Sequence, residues 1–471
     1  KVRFKPDQAD RQDAFDFGYN FGCTLLEKPN TKKNSAKTTL VKCLVCGEIF
    51  DSSLEICPVC GVGKENFVPV EAEDDSYQND TKDFYLILGN GAAGFYAAKS
   101  IRERNKTASI VMVSEEPYRS YNRPMLTKSI MAGLSEDQIA VQGKQWYEEQ
   151  RIVQVLGKRI ISVDTAEKEV TLEDGVKLQY TKLIYALGAE CFVPPIPGSD
   201  KKSVVAIRRL ADTREIADFL PNVKNVVVIG GGVLGLEAAW EMKKAKCHVT
   251  VLEIAPVLMG RQLDLPAGEL LKTISEECGV HIRTDMQVES ILGEEYTTAV
   301  KLKDGEEVSA DLVIVSSGVR ANVGLAQQMG LETDRGIVVN SKMETSVKGV
   351  YACGDCAQYK GVNYAIWPEA VEQGKVAGAN AAGEEKEYVQ VPAALTFHGM
   401  NTALYAIGDA GKNPNLIYKT VEFKDMGRKQ YKKYFFLNNR LCGVILIGDV
   451  SEMGKLSEAV ERKAPYKEII A

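Results

Sequence analysis

The stretch FYLILGNGAAGFYAAKS at residues 84–100 joins a continuous apolar run to a glycine-rich turn and a helix-forming segment. An apolar run of this kind predicts a buried parallel strand, and the segment after the turn predicts a helix. Gly89 suits the turn itself, Gly91 leaves room for a pyrophosphate beside the backbone, and Gly94 lets helix and strand pack closely. Glu115 ends the next apolar run, where its carboxylate can accept hydrogen bonds from ribose hydroxyls. These residues predict a dinucleotide-binding unit.

A second copy of this pattern follows at residues 226–253. Its glycines and its acidic residue are predicted to bind a second dinucleotide: Gly230, Gly232, Gly235 and Glu253. A carboxylate at the position of Glu253 accepts a 2′-hydroxyl and repels a 2′-phosphate, which favours NADH over NADPH. Two copies, each in frame with strands and a helix, predict an α/β protein with two doubly wound nucleotide-binding domains.

Two C-x-x-C-G turns, ten residues apart, lie at the start of the chain, before the first nucleotide unit. Their cysteines are predicted to be metal ligands: Cys43, Cys46, Cys57 and Cys60. Such turns bring four thiolates to one tetrahedral centre, and the glycine after each pair permits backbone N–H groups to turn toward sulfur. An all-thiolate site suits both zinc and iron, so the spacing predicts the ligands and leaves the metal open.

The sequence VKCLVCGEIFDSSLEICPVCGVGKENFVPVE at residues 41–71 resembles a rubredoxin, with Lys64 and Phe67 where that family has them. The resemblance implies one iron that cycles between its ferric and ferrous states as a one-electron carrier. The two knuckles are closer together than in most free-standing rubredoxins and resemble the compact variety fused to other proteins. This departure keeps a structural zinc ribbon, or a ribbon that serves as a protein adaptor, as the alternative.

The order of the two nucleotide units, with the second inserted inside the first, resembles the FAD-dependent pyridine nucleotide-disulfide oxidoreductase superfamily over residues 84–471. LIYALGA at residues 183–189, IVSSGVRAN at 314–322 and VYACGD at 350–355 support this resemblance. It implies that FAD binds at the first unit and NADH at the second. It also implies further cofactor-binding residues in these segments: Gly188, Gly318, Gly354 and Asp355. In that family the aspartate of the last segment holds the ribityl chain.

Two shorter segments, YNRPMLTK at residues 121–128 and WPEAVEQG at 367–374, are similar to those that flank the isoalloxazine ring in the rubredoxin reductase branch. The similarity implies contacts with flavin or nicotinamide from four side chains: Arg123, Lys128, Trp367 and Glu237. No side chain is predicted to act as a catalytic acid, base or nucleophile, because the flavin itself mediates the reaction.

The cysteine pattern argues against two other activities of this superfamily. Members that reduce disulfides or peroxide need a cysteine beside the flavin, and the chain has no cysteine between Cys60 and Cys191. Cys353 and Cys356 form a C-x-x-C pair that overlaps the second flavin motif, where small residues serve packing. We interpret this pair as structural.

The predicted domain boundaries follow from these motifs and from changes in composition. The domains are a remnant of a flavodoxin-like domain or N-terminal extension (1–38), a rubredoxin-like four-cysteine knuckle domain (39–70), an acidic linker (71–83), the FAD-binding domain in two parts (84–205 and 323–388), the NAD-binding domain (206–322) and a C-terminal α+β domain (389–471). The acidic run predicts a flexible linker, with a loop packed on the next domain as the alternative. In the last domain, QYKKYFFL, an Asn438-Asn439 turn and RLCGVILIG predict a β-hairpin.

The segment VRFKPDQADRQDAFDFGYNFGCTLLEK at residues 2–28 resembles the last strand and helix of the flavodoxin domain in flavodiiron proteins. The resemblance implies that the chain is the C-terminal part of such a protein, whose diiron site reduces oxygen or nitric oxide. The start at Lys1 without an initiator Met fits this expectation. An amphipathic N-terminal helix without this ancestry is the alternative. The diiron ligands are not in this sequence.

The composition, 45% apolar and 26% charged residues, is typical of a globular protein, and 471 residues call for several domains. A net charge of −6 gives no reason to expect nucleic acid. The longest apolar stretch, residues 226–240, is broken by glycines and too short to span a membrane. Scattered cysteines beside a metal site predict reduced thiols and a cytoplasmic location. A homo-oligomer is left open.

These features together predict an FAD-dependent NADH:rubredoxin oxidoreductase module. A hydride passes from NADH to FAD and single electrons pass to the iron of the fused domain, which feeds a flavodiiron core in the same chain or in a separate one. An FAD-dependent NADH oxidase or a ferredoxin-type reductase is the alternative. We also hypothesise that the acidic linker and the metal domain dock on basic residues of the hairpin: Arg428, Lys429, Lys432 and Lys433.

Overall fold

The computed structural model describes residues 40–44, 49–57, 63–70, 77–128, 130–131 and 133–470. The predicted flavodoxin-like remnant, the predicted metal ligands Cys46 and Cys60, and the first half of the predicted linker fall outside these residues. Among the helices that it describes, none is long and apolar enough to cross a bilayer.

Strands and helices alternate through most of the described chain. In chain order the strands are β1 (Leu40–Cys43), β2 (Ile49–Asp51), β3 (Phe67–Val70), β4 (Phe84–Leu88), β5 (Ser109–Ser114), β6 (Ile152–Leu156), β7 (Ile160–Asp164), β8 (Glu169–Leu172), β9 (Lys177–Gln179), β10 (Lys182–Tyr185), β11 (Ala189–Cys191), β12 (Val204–Val205), β13 (Asn225–Ile229), β14 (His248–Leu252), β15 (Val280–Arg283), β16 (Val288–Leu292), β17 (Ala299–Leu302), β18 (Glu307–Ser309), β19 (Leu312–Val315), β20 (Val319–Ala321), β21 (Ile337–Val339), β22 (Val350–Ala352), β23 (Ala357–Tyr359), β24 (Ala394–Gly399), β25 (Thr402–Gly408), β26 (Lys419–Asp425), β27 (Gln430–Leu437) and β28 (Arg440–Ile447). The helices are α1 (Ala92–Arg104), α2 (Met125–Lys128), α3 (Glu136–Ile139), α4 (Lys144–Glu149), α5 (Leu210–Phe219), α6 (Val233–Lys244), α7 (Leu265–Glu277), α8 (Gly324–Gln328), α9 (Trp367–Ala381), α10 (Met453–Glu461) and α11 (Tyr466–Ile469).

Two five-stranded parallel sheets form the centres of the two nucleotide-binding domains. The first has the strand order β22-β10-β4-β5-β6, and the second has the order β12-β19-β13-β14-β15. The apolar runs at residues 84–88 and 109–114 form β4 and β5, and those at 226–230 and 248–253 supply β13 and β14. Side chains from both faces of these strands are buried, which is why the runs are continuously apolar. The predicted pair of doubly wound domains is confirmed.

The internal repeat extends beyond the glycine-rich turns. Each nucleotide-binding domain also carries a three-stranded antiparallel sheet, β7-β8-β9 in the first and β16-β17-β18 in the second. A two-stranded ribbon of β11 and β20 joins the chain where it enters and leaves the second domain, with Ala189 opposite Ala321. The second domain is therefore an insertion in the first.

The first domain is assembled from two separate parts of the chain. Strand β22 pairs with β10, and helix α9 packs along α1. The contact is close because Gly374 and Gly378 of α9 face Ala93 and Ala97 of α1. A Cβ atom added at either glycine would lie 2.4 Å from the carbonyl oxygen of the facing alanine. The late part of the chain thus completes the core that the early part begins.

The C-terminal domain contains a five-stranded antiparallel sheet with the order β24-β25-β28-β27-β26, covered by α10 and α11. The predicted hairpin is confirmed: β27 pairs with β28, with Leu437 opposite Arg440. Both turn residues have positive φ, 51° at Asn438 and 57° at Asn439, as a tight hairpin turn of this type requires.

The segment from residue 40 to residue 70 is called the knuckle module from here on, and its described residues form a small antiparallel sheet with the order β2-β1-β3. Phe50 and Phe67 pack edge to face, with ring centroids 4.8 Å apart. They share a cluster with the buried side chains of Cys43 and Cys57. A segment this short has little core of its own, so its stability depends on a metal or on neighbouring domains.

Residues 77–83, predicted as the second half of a flexible linker, pack on the first nucleotide-binding domain. The side-chain amides of Gln78 and Asn79 donate hydrogen bonds to the carbonyl oxygens of Glu103 and Ala382, at 2.7 and 3.0 Å. The flexibility was predicted from charge, whereas these polar side chains bind the ends of α1 and α9. The packed-loop alternative therefore describes this half of the segment.

Candidate functional site

The first glycine-rich turn connects β4 to α1. Gly89 has a φ of +102°, and a Cβ atom there would lie 2.3 Å from the carbonyl oxygen of Ala186. A Cβ atom at Gly94 would lie 2.1 Å from the carbonyl oxygen of Gly89. In contrast, no atom lies within 4 Å of a Cβ position at Gly91, which immediately precedes the helix. The turn therefore leaves an open space at a helix N-terminus, which is what a pyrophosphate requires.

A cavity of about 680 Å³ borders this turn. Its walls come from both nucleotide-binding domains, from strand β24 of the C-terminal domain and from the knuckle module. The predicted site residues that line it are Gly89, Gly91, Glu115, Arg123, Gly188, Glu237, Asp355 and Trp367. Gly94, Gly318 and Gly354 are not part of its lining. The cavity thus gathers residues that are far apart in the sequence, from Leu44 to Thr396.

The carboxylate of Asp355 is fixed by an arginine that the sequence reasoning missed. Arg208 Nη2 donates to Asp355 Oδ2 at 2.7 Å, and Arg208 Nε donates to the carbonyl oxygen of Ala189 at 2.8 Å. The backbone N–H of Gly354 donates to Gln373 Oε1 at 2.9 Å. The second flavin motif is thereby tied both to α9 and to the chain that leads into the NAD-binding domain.

Arg123 lines the cavity, but its guanidinium is held by protein groups. It donates to Glu116 Oε1 at 2.5 Å, to the carbonyl oxygen of Arg208 at 2.6 Å and to the hydroxyl of Tyr121 at 3.0 Å. Burial lowers the pKa of Arg123, but contacts with Tyr121 and Glu116 outweigh this effect and raise the pKa above its ordinary value. Arg123 is therefore a fixed positive charge in the wall. Glu116 was not predicted, although it directly follows Glu115.

Trp367 begins helix α9 and supplies a test of whether the residues fit FAD. Its indole Nε1 is buried, and no group in the described structure accepts a hydrogen bond from it. A buried donor on a cavity wall calls for an acceptor, and a flavin ring carries several. Together with the open space at Gly91 and the carboxylate of Asp355, this donor gives the cavity the chemistry that FAD requires.

Glu237 lies on α6 of the second domain and faces the same cavity. Thr127 Oγ1 of α2 donates to Glu237 Oε2 at 2.5 Å, and both residues are buried. This contact joins the two nucleotide-binding domains beside the place predicted for the nicotinamide. Lys128 is the last residue of α2, and its side chain is not among those that the structure describes, so the predicted contact of this side chain stays a prediction.

The second glycine-rich turn, between β13 and α6, repeats the geometry of the first. Gly230 has a φ of +115° and lies against a backbone carbonyl, whereas the Cβ position at Gly232 is open. Glu253 accepts hydrogen bonds from the N–H groups of Gly231 and Ala255, at 2.6 and 2.7 Å. These bonds fix its carboxylate beside the turn, where a ribose can reach it. Gly235, with a Cβ position 2.1 Å from the carbonyl oxygen of Gly230, lets α6 pack on the strand.

Cys353 and Cys356 have the environment of structural thiols. Both are fully buried, and Cys356 Sγ contacts the carbonyl oxygens of Tyr185 and Cys353, at 3.4 and 3.2 Å. Burial raises the pKa of Cys356 to about 12 and that of Cys353 well above its ordinary value. Since the thiolate is the reactive form, neither sulfur is suited to nucleophilic or redox chemistry near neutral pH.

The knuckle module reaches the cavity itself. Leu44, which follows the predicted ligand Cys43, is part of the cavity wall. Trp367, on the same wall, packs against the cluster that contains Cys43 and Cys57. Two of the four predicted ligands therefore lie in one cluster that Trp367 contacts. Within the described residues, no group of three or more His, Cys, Asp or Glu could hold a metal ion.

Charged residues join the knuckle module to helix α9. Lys42 Nζ lies 3.3 Å from Glu372 Oε1, and Lys375 Nζ contacts the same oxygen at 3.3 Å. Burial raises the pKa of Glu372, but Lys375 and Lys42 outweigh this effect and lower the pKa below its ordinary value. The carboxylate is thus charged near neutral pH and bridges two lysines, one from each side of the contact.

The described residues argue against the hypothesis that the acidic linker and the metal domain dock on the basic face of the hairpin. Each of the four basic residues already has an acidic partner elsewhere: Arg428 with Asp425, Lys429 with Glu277, Lys432 with Glu452, and Lys433 with Asp264 and Glu422. Because these charges are neutralised locally, they offer little attraction to an acidic domain. The described part of the knuckle module contacts α9 and the start of α10 instead.

The comparisons with known proteins match the reductase part of the chain. Residues 84–374 match the model of the pyridine nucleotide-disulphide oxidoreductase family, and residues 392–464 match that of the rubredoxin NAD⁺ reductase C-terminal domain. The NADH-rubredoxin oxidoreductase of Clostridium acetobutylicum is 31% identical over 82% of this chain and 96% of that protein. Its crystal structure superposes with a TM-score of 0.70, at 30% identity, over 83% of this chain and 98% of that one.

A nitrite reductase [NAD(P)H] of Bacillus subtilis is 34% identical over 81% of this chain. The match covers 48% of that enzyme, so this chain spans about half the length of that relative. The same reductase unit is therefore found both by itself and as one part of a longer polypeptide.

Proposed function

The chain belongs to the pyridine nucleotide-disulphide oxidoreductase family, and we propose that it oxidises NADH and passes the electrons to its own knuckle module. It is an FAD-dependent oxidoreductase. The rubredoxin reductase C-terminal domain and the Clostridium relative support a rubredoxin-type acceptor. In this chain such an acceptor is encoded in the same polypeptide, at residues 40–70.

The observation that carries this proposal is the position of Leu44 in the wall of the cavity. The residue before it, Cys43, is a predicted metal ligand, and Trp367 both packs against the cysteine cluster and lines the cavity. An electron acceptor must come close to the flavin, and here the module is already in contact with the wall. Transfer within one chain then needs no diffusional encounter.

The residues of the chain form two nucleotide sites, one for FAD and one for NADH. The turn at residues 89–94 and the Asp355–Arg208 pair would hold FAD, and the turn at residues 230–235 with Glu253 would hold NADH. Glu237, fixed by Thr127, would position the nicotinamide between them. When bound, FAD supplies the conversion of an electron pair into single electrons.

The electron count places a requirement on the module. One NADH yields NAD⁺, one proton and two electrons, which reduce two ferric ions to ferrous. A module with one metal ion must therefore pass the first electron onward before it accepts the second. We propose that the onward acceptor is a flavodiiron core that reduces oxygen or nitric oxide, in agreement with the resemblance at residues 2–28.

Iron is the metal that this function needs. Cys43, Cys46, Cys57 and Cys60 would hold it, and the joint burial of Cys43 and Cys57 supports a shared centre. Zinc binds the same four thiolates but cannot change its oxidation state. A zinc-containing module would leave the enzyme as a flavin-dependent NADH oxidase or ferredoxin-type reductase with a structural ribbon.

Metal analysis and an anaerobic titration with NADH test the proposal. We expect about one iron per chain, and we expect the ferric absorption bands to bleach together with the flavin bands. The same protein reconstituted with zinc is the control and should show bleaching of the flavin bands alone. Flavin that becomes reduced while the iron stays ferric would contradict transfer within the chain.

A further inference from the structure

We propose that the knuckle module, seated by the Lys42–Glu372 ion pair, closes the flavin cavity to separate electron-carrier proteins and so makes the enzyme specific for its own metal centre. This inference rests on the proposed function. It adds that the module is the acceptor and also the barrier that keeps other one-electron carriers away.

The contact between the knuckle module and the rest of the chain, called the seat below, has an apolar part and a polar part. The apolar part is formed by aromatic side chains. Phe67 and Trp367 both pack on the cluster of Cys43, Cys57 and Phe50. Trp367 is at the same time part of the cavity wall. The module therefore covers the part of the Trp367 indole that packs on it. A second protein could reach this part only if the module moved away.

The polar part of the seat is the bridge between Lys42, Glu372 and Lys375. The side chains of Lys42 and Glu372 are only 29% and 30% exposed. A pair that is partly shielded from water and from salt attracts more strongly than a fully exposed pair. Lys42 lies on β1 next to Cys43, so this pair fixes the position of the strand that carries a predicted ligand.

A third contact lies on the C-terminal domain. A Cβ atom at Gly454, at the start of α10, would lie 3.3 Å from Val68 Cγ1 of the module. The module therefore touches α9 of the FAD-binding domain and α10 of the C-terminal domain. Contacts on two domains define one position for the module, and in this position Leu44 lies in the cavity wall.

This position has a consequence for specificity. A separate carrier would need to bring its own metal centre to the same opening, and two proteins cannot occupy it together. The tethered module is present at a high effective concentration, so it should win the competition at ordinary carrier concentrations. The full-length enzyme should then reduce an added carrier slowly.

The test uses the full chain with FAD and iron, and three variants. Lys42→Glu reverses the charge at the seat. Lys42→Glu combined with Glu372→Lys restores an opposite-charge pair with exchanged partners. Lys64→Glu is the matched control, because Lys64 is on the same module but pairs with Glu55 of the module itself.

Two measurements report on the seat. The first is the rate at which NADH reduces an added free-standing rubredoxin, with two ferric rubredoxins reduced per NADH. The second is amide hydrogen exchange at residues 40–44 and 367–372 without NADH. We expect Lys42→Glu to raise the rate for added rubredoxin about tenfold and to speed exchange at both segments. The charge-exchanged variant should return both toward wild type, and Lys64→Glu should change neither.

The outcomes separate this inference from the proposed function. If NADH reduces the internal iron but the wild type reduces added rubredoxin as fast as Lys42→Glu, the barrier does not exist and the electron transfer within the chain still stands. If the internal iron is not reduced at all, the proposed function fails first. Equal effects of Lys42→Glu and Lys64→Glu would also overturn the inference, since they would reflect charge and not the seat.

Discussion

Glu369, in the first turn of α9, is only 5% exposed and accepts a hydrogen bond from Tyr388. Burial raises the pKa of its carboxyl from 4.5 to about 7; Lys42 lowers this pKa and Glu372 raises it. A carboxyl with a raised pKa destabilises the folded protein when it ionises. The contribution of this carboxyl to the free energy of unfolding is fully present below its unfolded pKa of 4.5. This contribution is lost as the pH rises through about 7.

Replacing Glu369 with Gln should therefore stabilise the protein at alkaline pH. We expect Glu369→Gln to raise the apparent free energy of unfolding at pH 8 by about 1–3 kcal/mol and to have a much smaller effect at pH 5. Urea unfolding at the two pH values measures this difference.

Glu372→Gln is the control, and the expected change in its stability at pH 8 has the opposite sign. The pKa of Glu372 is lowered by Lys375 and Lys42 in spite of burial, so its stabilising effect is present above its ordinary pKa and is lost as the pH falls. This variant should be less stable than the wild type at pH 8. If Glu369→Gln changed the free energy of unfolding equally at both pH values, ionisation of this carboxyl would not be the cause.

At the scale of elements, the α1–α9 contact decides whether the flavin cavity is complete. Helix α9 carries Trp367 at its start, and Gly374 holds this helix against α1. Gly374→Ala places a methyl group at 2.4 Å from the carbonyl oxygen of Ala93, so the two helices must separate. We expect a loss of about 1–3 kcal/mol of stability and release of FAD at lower urea concentration. Flavin fluorescence during urea unfolding measures both.

Gly143→Ala is the matched control, because no atom lies within 4 Å of its Cβ position and its φ of −68° suits any residue. This change should leave FAD release unaltered. Equal effects of the two substitutions would show that tight packing at Gly374 is not responsible.

The same scale shows what could be predicted from the sequence. The two glycine-rich turns, their strands and the hairpin at Asn438-Asn439 are local patterns, and the structure confirms these elements. The partners of distant residues could not be predicted in this way. Arg208 reaches Asp355 across 147 positions, and Lys42 reaches Glu372 across 330. Such pairs depend on how complete domains meet, and no periodicity or spacing in one sequence reports that.

For the molecule as a whole, residues 77–83 lie directly before the part of the chain that matches the reductase family, which begins at residue 84. The hydrogen bonds of Gln78 and Asn79 fasten this segment to the ends of α1 and α9. A chain that starts at Tyr77 should bind FAD and reduce ferricyanide with NADH at least as fast as the full chain, because the knuckle module no longer covers the cavity. A chain that starts at Phe84 should lose these bonds and melt about 2–4 °C lower. Thermal unfolding and the ferricyanide assay compare the two, and failure of the longer chain to bind FAD would contradict this boundary.

The insertion of one domain in the other also determines the order in which they can be completed on the ribosome. Strands β12 to β19 emerge as one continuous stretch, so the NAD-binding sheet has all its strands early. The FAD-binding sheet waits for β22, and its helical cover waits for α9. Since domains fold as units during synthesis, the nascent chain should capture its flavin only after Ala381 has left the exit tunnel.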